Sequence, residues 1–271
     1  MARDTSFSYS FLVLPADQRR AIGAIWDFCR AVDDGVDEAA DRASAEQAVV
    51  RWREEVARMF GGDAPHTEQA RNLQPIVDQF ALSRQPFDDL VDGVEMDLRC
   101  LRYDTFDDLA GYCRRVASAV GLMCIEVFGS RGPGAHAYAD NLGLALQVTN
   151  IIRDIRTDLD KGRIYVPQAD LERFGVTESM LAAGVVTEPV RALLAFECQR
   201  AHQFFEAAER ARPAGDARKL VAAEIMGAIY YEILRRIEAQ RYAVFGEVIR
   251  VPKLVRARIA LQVWLRLTVL G

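Results

Sequence analysis

The chain has 271 residues, 51% of them apolar and 27% charged, which supports a large core and excludes wholesale disorder. A net charge of −5 with no basic run excludes general nucleic-acid binding, because nothing neutralises a phosphate backbone. Five cysteines without a CxxC or zinc spacing, and three scattered histidines, fit a reduced cytoplasmic protein.

The first residues, Met1 to Ser6, lack the apolar region of a secretion signal, and no window reaches the roughly 20 apolar residues of a spanning helix. Signals for helix starts dominate the rest of the chain. Pro15 predicts a helix to about Glu38, with Ala21, Ile22, Ile25, Phe28, Cys29 and Val32 at helical spacing. The capping-box pattern Ser44 to Gln47 opens a second, which Gly61-Gly62 ends. Thr67 and Pro86 begin two more, and Thr105 to Asp108 caps a long helix to Gly129.

Gly132-Pro133-Gly134 is the clearest break, and a helix from about His136 to Asp160 follows. Gly162 to Pro167 is a loop, with short helices over 168–173 and 178–183. Pro189 starts a helix to about Arg212, Asp216 caps one to about Tyr242, and Pro252 starts the last. Gln262 and Arg266 interrupt the lipophilic Ile259 to Leu270 segment, which reads as a packed terminal helix with peripheral membrane contact as its other use. No segment alternates like a strand, so the expectation is all-α, about a dozen helices in one domain.

Two of these helices carry chemistry. Gln147, Asn150, Asp154 and Asp158 fall on one stripe, while Val148, Ile151, Ile152 and Ile155 hold the other side in a core. Far upstream, Asp33 and Asp37 repeat the i,i+4 pair, with Arg30 one turn back. On a solvated surface such a pair costs only about 0.2–0.5 kcal/mol, so an exposed acidic face is the plain alternative. In a shared cleft each close pair costs on the order of 4 kcal/mol at an effective dielectric of about 20, and a cation must sit there. Oxygen donors alone are on offer, which suits Mg2+ sharing ligands with phosphate rather than zinc.

Arg30, Arg153, Arg163 and Arg250 lie in or beside these polar segments, and guanidinium forks suit phosphate oxygens; surface ion pairing is their alternative. Phe7, Tyr9, Phe11, Trp26, Tyr112, Tyr230 and Tyr231 read first as core, but their rings could also stabilise a carbocation.

The strings FCRAVDDGVDE and NIIRDIRTDLDKGRIYVP resemble the two aspartate-rich signatures of the squalene and phytoene synthase family. SFSYSFLVLPADQR, GVEMDLRCLRYDTFDDLAGYCRRVASAVG and RVPK match its pattern in order, from Ser6 to about Arg258. Within the family the chain most resembles the bacterial presqualene diphosphate synthases that feed hopanoid synthesis; phytoene (carotenoid) and dehydrosqualene synthases are close in pattern. The resemblance implies an all-helical isoprenoid synthase fold around a central cavity and Mg2+-dependent head-to-head joining of two prenyl diphosphates, farnesyl or geranylgeranyl.

By motif position it implies Asp33, Asp37, Asn150, Asp154 and Asp158 as ligands of Mg2+ and diphosphate. Ser6, Arg30, Gln147, Arg153, Tyr230 and Arg250 would contact or orient diphosphate, and Phe7, Phe11, Tyr103 and Tyr112 would line the cavity. Tyr230 is the candidate proton acceptor beside the released diphosphate. Trp26-Asp27 stands where a tyrosine and a small residue are more usual, and Thr157 where an acid is common. No GxGxxG motif is present, so a dinucleotide fold is not expected. The competing expectations are completion of the second ionisation to phytoene, dehydrosqualene or squalene, and a non-catalytic helical assembly factor.

Overall fold

The computed structural model describes residues 8–269; Ser6 and Phe7 lie outside the described residues. The elements in order are α1 (Ser8–Phe11), α2 (Ala16–Asp37), α3 (Arg42–Gly61), α4 (Glu68–Phe80), α5 (Gln85–Arg99), α6 (Phe106–Cys113), a π turn (Arg114–Ser118) and α7 (Ala119–Phe128). There follow α8 (Ala135–Asp160), α9 (Gln168–Arg173), α10 (Glu178–Ala182), α11 (Glu188–Ala211), a 3-10 turn (Ala214–Asp216), α12 (Val221–Ala239) and α13 (Lys253–Thr268). Among the described residues the sole extended pairing is one bridge between Arg102 and Ile164. The all-α expectation therefore holds.

Local chemistry explains most boundaries. The Thr105 hydroxyl accepts from the Asp108 N–H while the Asp108 carboxylate accepts from the Thr105 N–H, a reciprocal cap. Gly62 ends α3 in the left-handed conformation that glycine adopts without strain. Three expectations need correction. The α3 cap is Asp41, whose Oδ1 accepts from Ser44 N at 2.8 Å, so Ser44 sits inside the first turn rather than before it. Asp216 does not cap α12: it accepts from Ser130 Oγ at 2.8 Å and pairs with Lys219, bracing the Gly132 turn, and α12 begins five residues later.

The third correction shapes the site. The helix expected from Thr105 to Gly129 is interrupted by the π turn, squeezed between α5 and α8. A Cβ on Gly143 would lie 2.6 Å from Ser118 Cα, and one on Gly93 would lie 2.7 Å from Val116 Cγ1. Two glycines thus admit a widened turn where any side chain would collide, and packing overrides the local helical period.

Burial follows the periodicity. Ala21, Ile22, Ile25, Phe28, Cys29, Val32 and Val36 of α2 face a core shared with α3, α4, α5 and α7. The second half of α8 packs with α11, α12 and α13 in a second cluster. A smaller cluster of Tyr103, Tyr112, Tyr165 and their neighbours lies at α6 and α8. At about 1.5 Å per residue, α8 runs about 39 Å and contributes to all three.

Candidate active site

Helices α2, α5, α7, α8 and α12, with the π turn, enclose a cavity of about 370 Å³, within the size range of small-molecule sites. Its walls are apolar over most of their length, with Ile25 and Cys29 of α2, Leu90 and Val94 of α5, Leu142 and Leu146 of α8 and Met226 of α12. One end is polar: Arg30 and Asp33 come from α2, Gln147, Asn150 and Arg153 from α8, and Tyr230 from α12. The other end is closed by Phe128, Tyr138 and Ala222, all buried. From Asn150 down α8 to Tyr138 is about 18 Å. Side chains of the two aspartate-bearing helices therefore meet at the polar end of one largely apolar cavity.

Electrostatics at that end are dominated by crowded acids. Asp33 opens onto the cleft, but burial of its remaining surroundings and then the charges of Asp37, Asp97 and Asp34 push its carboxyl up to about 6. Burial and the neighbouring Asp154 push Asp158 up to about 7. Burial alone would also raise Asp37. Instead Lys161 Nζ at 2.6 Å and Arg163 Nη2 at 3.0 Å hold it below the ordinary carboxylate range. Arg153 grips Asp154 with both arms of its guanidinium, Nε lying 2.8 Å from Oδ1. The Tyr230 phenol is buried at the cavity wall, where burial raises its pKa and the neighbouring Arg153 and Asn150 side chains oppose the rise.

A residue read from sequence only as part of a helix lies beneath this cleft. Asp97 is 7% exposed, and its Oδ1 and Oδ2 accept from Tyr165 and Tyr112 at 2.8 and 3.1 Å. Burial raises its pKa, opposed by Arg163 and by the two phenols. The missed signal was positional: Leu90, Val94 and Asp97 share the stripe of α5 that faces inward, so a carboxylate occupies a core position. Tyr165 and Lys161 were also missed, since neither stands out from loop composition.

Among the described residues no three His, Cys, Asp or Glu side chains converge tightly enough to hold an ion unaided. The donor set nonetheless fits a hard divalent cation. Asn150 Oδ1 is buried at the polar end without a hydrogen-bond partner, and Asp33 and Asp158 are each crowded by like charges. A cation sharing its ligands with diphosphate needs few protein oxygens.

Of the residues singled out from sequence, Phe11, Trp26, Arg30, Asp33, Tyr112, Gln147, Asn150, Arg153 and Tyr230 line the cavity. Asp37, Asp154 and Asp158 sit in the adjoining charged cleft through the contacts above. Tyr103 is buried behind the wall, stacked on Tyr165 at 6.1 Å and tilted against Tyr112 at 5.6 Å. Arg250 is exposed in the segment before α13 and does not line the cavity.

Comparison with known proteins agrees with this geometry. The profile of the squalene/phytoene synthase family matches residues 1–258. A 15-cis-phytoene synthase of Synechocystis sp. is 38% identical, covering 98% of this chain and 82% of that enzyme. A presqualene diphosphate synthase of Rhodopseudomonas palustris is 32% identical, covering 97% and 94%. The solved structure of a dehydrosqualene synthase superposes with a TM-score of 0.85 at 28% identity, over 96% of this chain and 91% of that one.

Proposed function

The chain belongs to the squalene/phytoene synthase family, prenyltransferases that condense two prenyl diphosphates head to head, and we propose that its own reaction joins two farnesyl diphosphates into presqualene diphosphate. The observation that carries the reading is the largely apolar cavity whose polar end gathers side chains from both aspartate-bearing helices. The choice of product is supported by the near-complete mutual coverage with the presqualene diphosphate synthase. Higher identity to a phytoene synthase favours the second reading, two geranylgeranyl diphosphates to phytoene.

In this reading Asp33, Asp37, Asn150, Asp154 and Asp158 hold Mg2+, which supplies positive charge opposite the departing diphosphate. Arg30, Gln147 and Arg153 bind and orient the diphosphates at the polar end, with Lys161 and Arg163 as further cations in the cleft. Ser6 and Arg250 join them on motif position alone, and Phe7 joins the cavity wall on the same ground. The apolar walls exclude water, so the allylic cation left by C–O cleavage meets the second prenyl double bond first. Phe11 and Tyr112 line the cavity, and an aromatic ring turned face-on to that cation is worth about 0.5–2 kcal/mol where water is absent. Closing the cyclopropane ring releases a proton. The released diphosphate takes it, with Tyr230 beside Arg153 as the relay: the phenol, kept neutral by burial, accepts the proton as its own O–H proton passes to diphosphate.

The product is oily, and this reading adds peripheral contact with a membrane. Leu254, Leu261 and Leu265 stand outward along α13 with Arg258 among them, while Ala260, Val263 and Leu267 face the core. No described helix is long and apolar enough to cross a membrane.

The test is product analysis by mass spectrometry with each prenyl diphosphate, Mg2+ and no NADPH. Presqualene diphosphate from the farnesyl substrate is expected; untouched farnesyl diphosphate, or phytoene from the longer substrate alone, would overturn the assignment.

A further inference from the structure

Asp97 takes no part in the chemistry above, yet its placement is costly. A buried carboxylate persists only when its oxygens are satisfied, and an apolar residue of similar volume would sit on this stripe of α5 at less expense. Both oxygens are instead occupied by phenols: Tyr165 at 2.8 Å and Tyr112 at 3.1 Å, with the two hydroxyls 3.3 Å apart. Tyr112 and Tyr165 also stack, with ring centroids 5.2 Å apart, and Tyr103 leans on both. Tyr112 lines the cavity; Asp97 and Tyr165 do not. The Tyr112 hydroxyl is therefore drawn through the wall, away from the space where the prenyl chains lie.

We propose that Asp97 is a positioning residue, which anchors the Tyr112 hydroxyl outside the cavity so that a ring face, and no nucleophilic oxygen, meets the reacting cation. The inference rests on the prenyl-coupling reading. A phenol oxygen or a water admitted beside it captures an allylic cation readily, whereas the ring face stabilises the cation without bonding to it. Either capture balances simply. Water forms a C–O bond to the allylic carbon, its proton passes to the released diphosphate, and a prenyl alcohol results. Attack by Tyr112 forms an aryl ether, the phenolic proton goes to diphosphate, and the protein gains one prenyl group.

The experiment compares the ratio of prenyl alcohol to coupled product, together with intact protein mass, in wild type, Asp97→Leu, Asp97→Glu, and the triple variant Asp97→Leu/Tyr112→Phe/Tyr165→Phe. Asp97→Leu is expected to raise the ratio at least about tenfold or to acquire a prenyl adduct. Asp97→Glu should recover most of the loss, and the triple variant, lacking both phenol oxygens, should return toward the wild-type ratio. A folded Asp97→Leu protein with an unchanged ratio and no adduct would overturn the proposal, as would a triple variant as leaky as Asp97→Leu. If Asp97→Leu fails to fold, Asp97→Asn, with one acceptor oxygen for two phenols, serves instead: a raised ratio supports the proposal and a wild-type ratio overturns it. Wild-type protein that makes no coupled product would sink the functional reading; wild-type coupling with an indifferent Asp97 would sink this inference alone.

Discussion

Lys161 Nζ lies 2.6 Å from Asp37 Oδ2, so the turn leaving α8 closes upon the last turn of α2. With Arg163 on the other carboxylate oxygen, this clasp joins the two acidic helices across 124 positions of sequence. Lys161 also lowers the Asp33 carboxyl against its acidic neighbours. Lys161→Met should therefore raise both carboxyls and move the acid limb of the kcat/KM profile to higher pH. Activity at pH 6 relative to pH 8 is expected to fall below the wild-type ratio, because Asp33, already at about 6, is then less ionised at the lower pH. An unmoved limb would show that neither carboxylate governs activity.

The raised acids make the pH profile depend on metal. Asp33 at about 6 and Asp158 at about 7 hold protons that a cation must displace, so ionisation and metal binding reinforce each other. Raising Mg2+ from limiting to saturating should move the acid limb to lower pH. Steady-state rates across pH 5.5–8 at several Mg2+ concentrations measure it, and a limb independent of Mg2+ contradicts the assignment.

A separate buried group gives a stability prediction. Glu197, 3% exposed, shares Arg200 with Asp170, and burial, opposed by Arg200, pushes its carboxyl from 4.5 up to about 7. Its folded pKa is above its unfolded one, so its contribution is fully present below about 4.5 and is lost as pH rises through 7. Glu197→Gln should flatten the fall in stability between pH 4.5 and 8, by on the order of 3 kcal/mol. Denaturant titrations at the two pH values read the difference, and parallel curves for variant and wild type would refute it.

Cavity depth yields a prediction about chain length. Tyr138 closes the apolar end and is pinned there by a 2.9 Å hydrogen bond to Glu224, itself paired with Arg212 at 2.7 Å. Tyr138→Ala should open room for one more isoprene unit and shift the kcat/KM ratio toward geranylgeranyl over farnesyl diphosphate by about tenfold or more. Tyr138→Phe keeps the floor and should leave that preference within about twofold. Equal preference in Tyr138→Ala and wild type would place the limit elsewhere.

How much of this was legible depends on how local each signal is. The stripe of Gln147, Asn150, Asp154 and Asp158 is a property of helical period alone, and the caps at Thr67 and Thr105 are contained in four residues. The π turn is not, because the cause lies in Gly93 and Gly143, whose missing side chains matter only once three helices are packed. Asp97 escaped for a related reason: one acid on an inward stripe gains meaning from Tyr112 and Tyr165, which are 15 and 68 positions away. Arg250 is legible only as a motif match, since the fold leaves it exposed in the segment before α13 and outside the cavity lining, so its proposed place at the diphosphate rests on the motif.

The most direct measurement is a crystal structure with Mg2+ and a farnesyl thiodiphosphate that resists ionisation. The account predicts divalent ions between diphosphate oxygens and the α2 and α8 acids, with Asn150 Oδ1 coordinated and the prenyl tail running toward Tyr138. A diphosphate bound elsewhere, with Asp33 and Asp158 free of metal and the chamber empty of the tail, would contradict it.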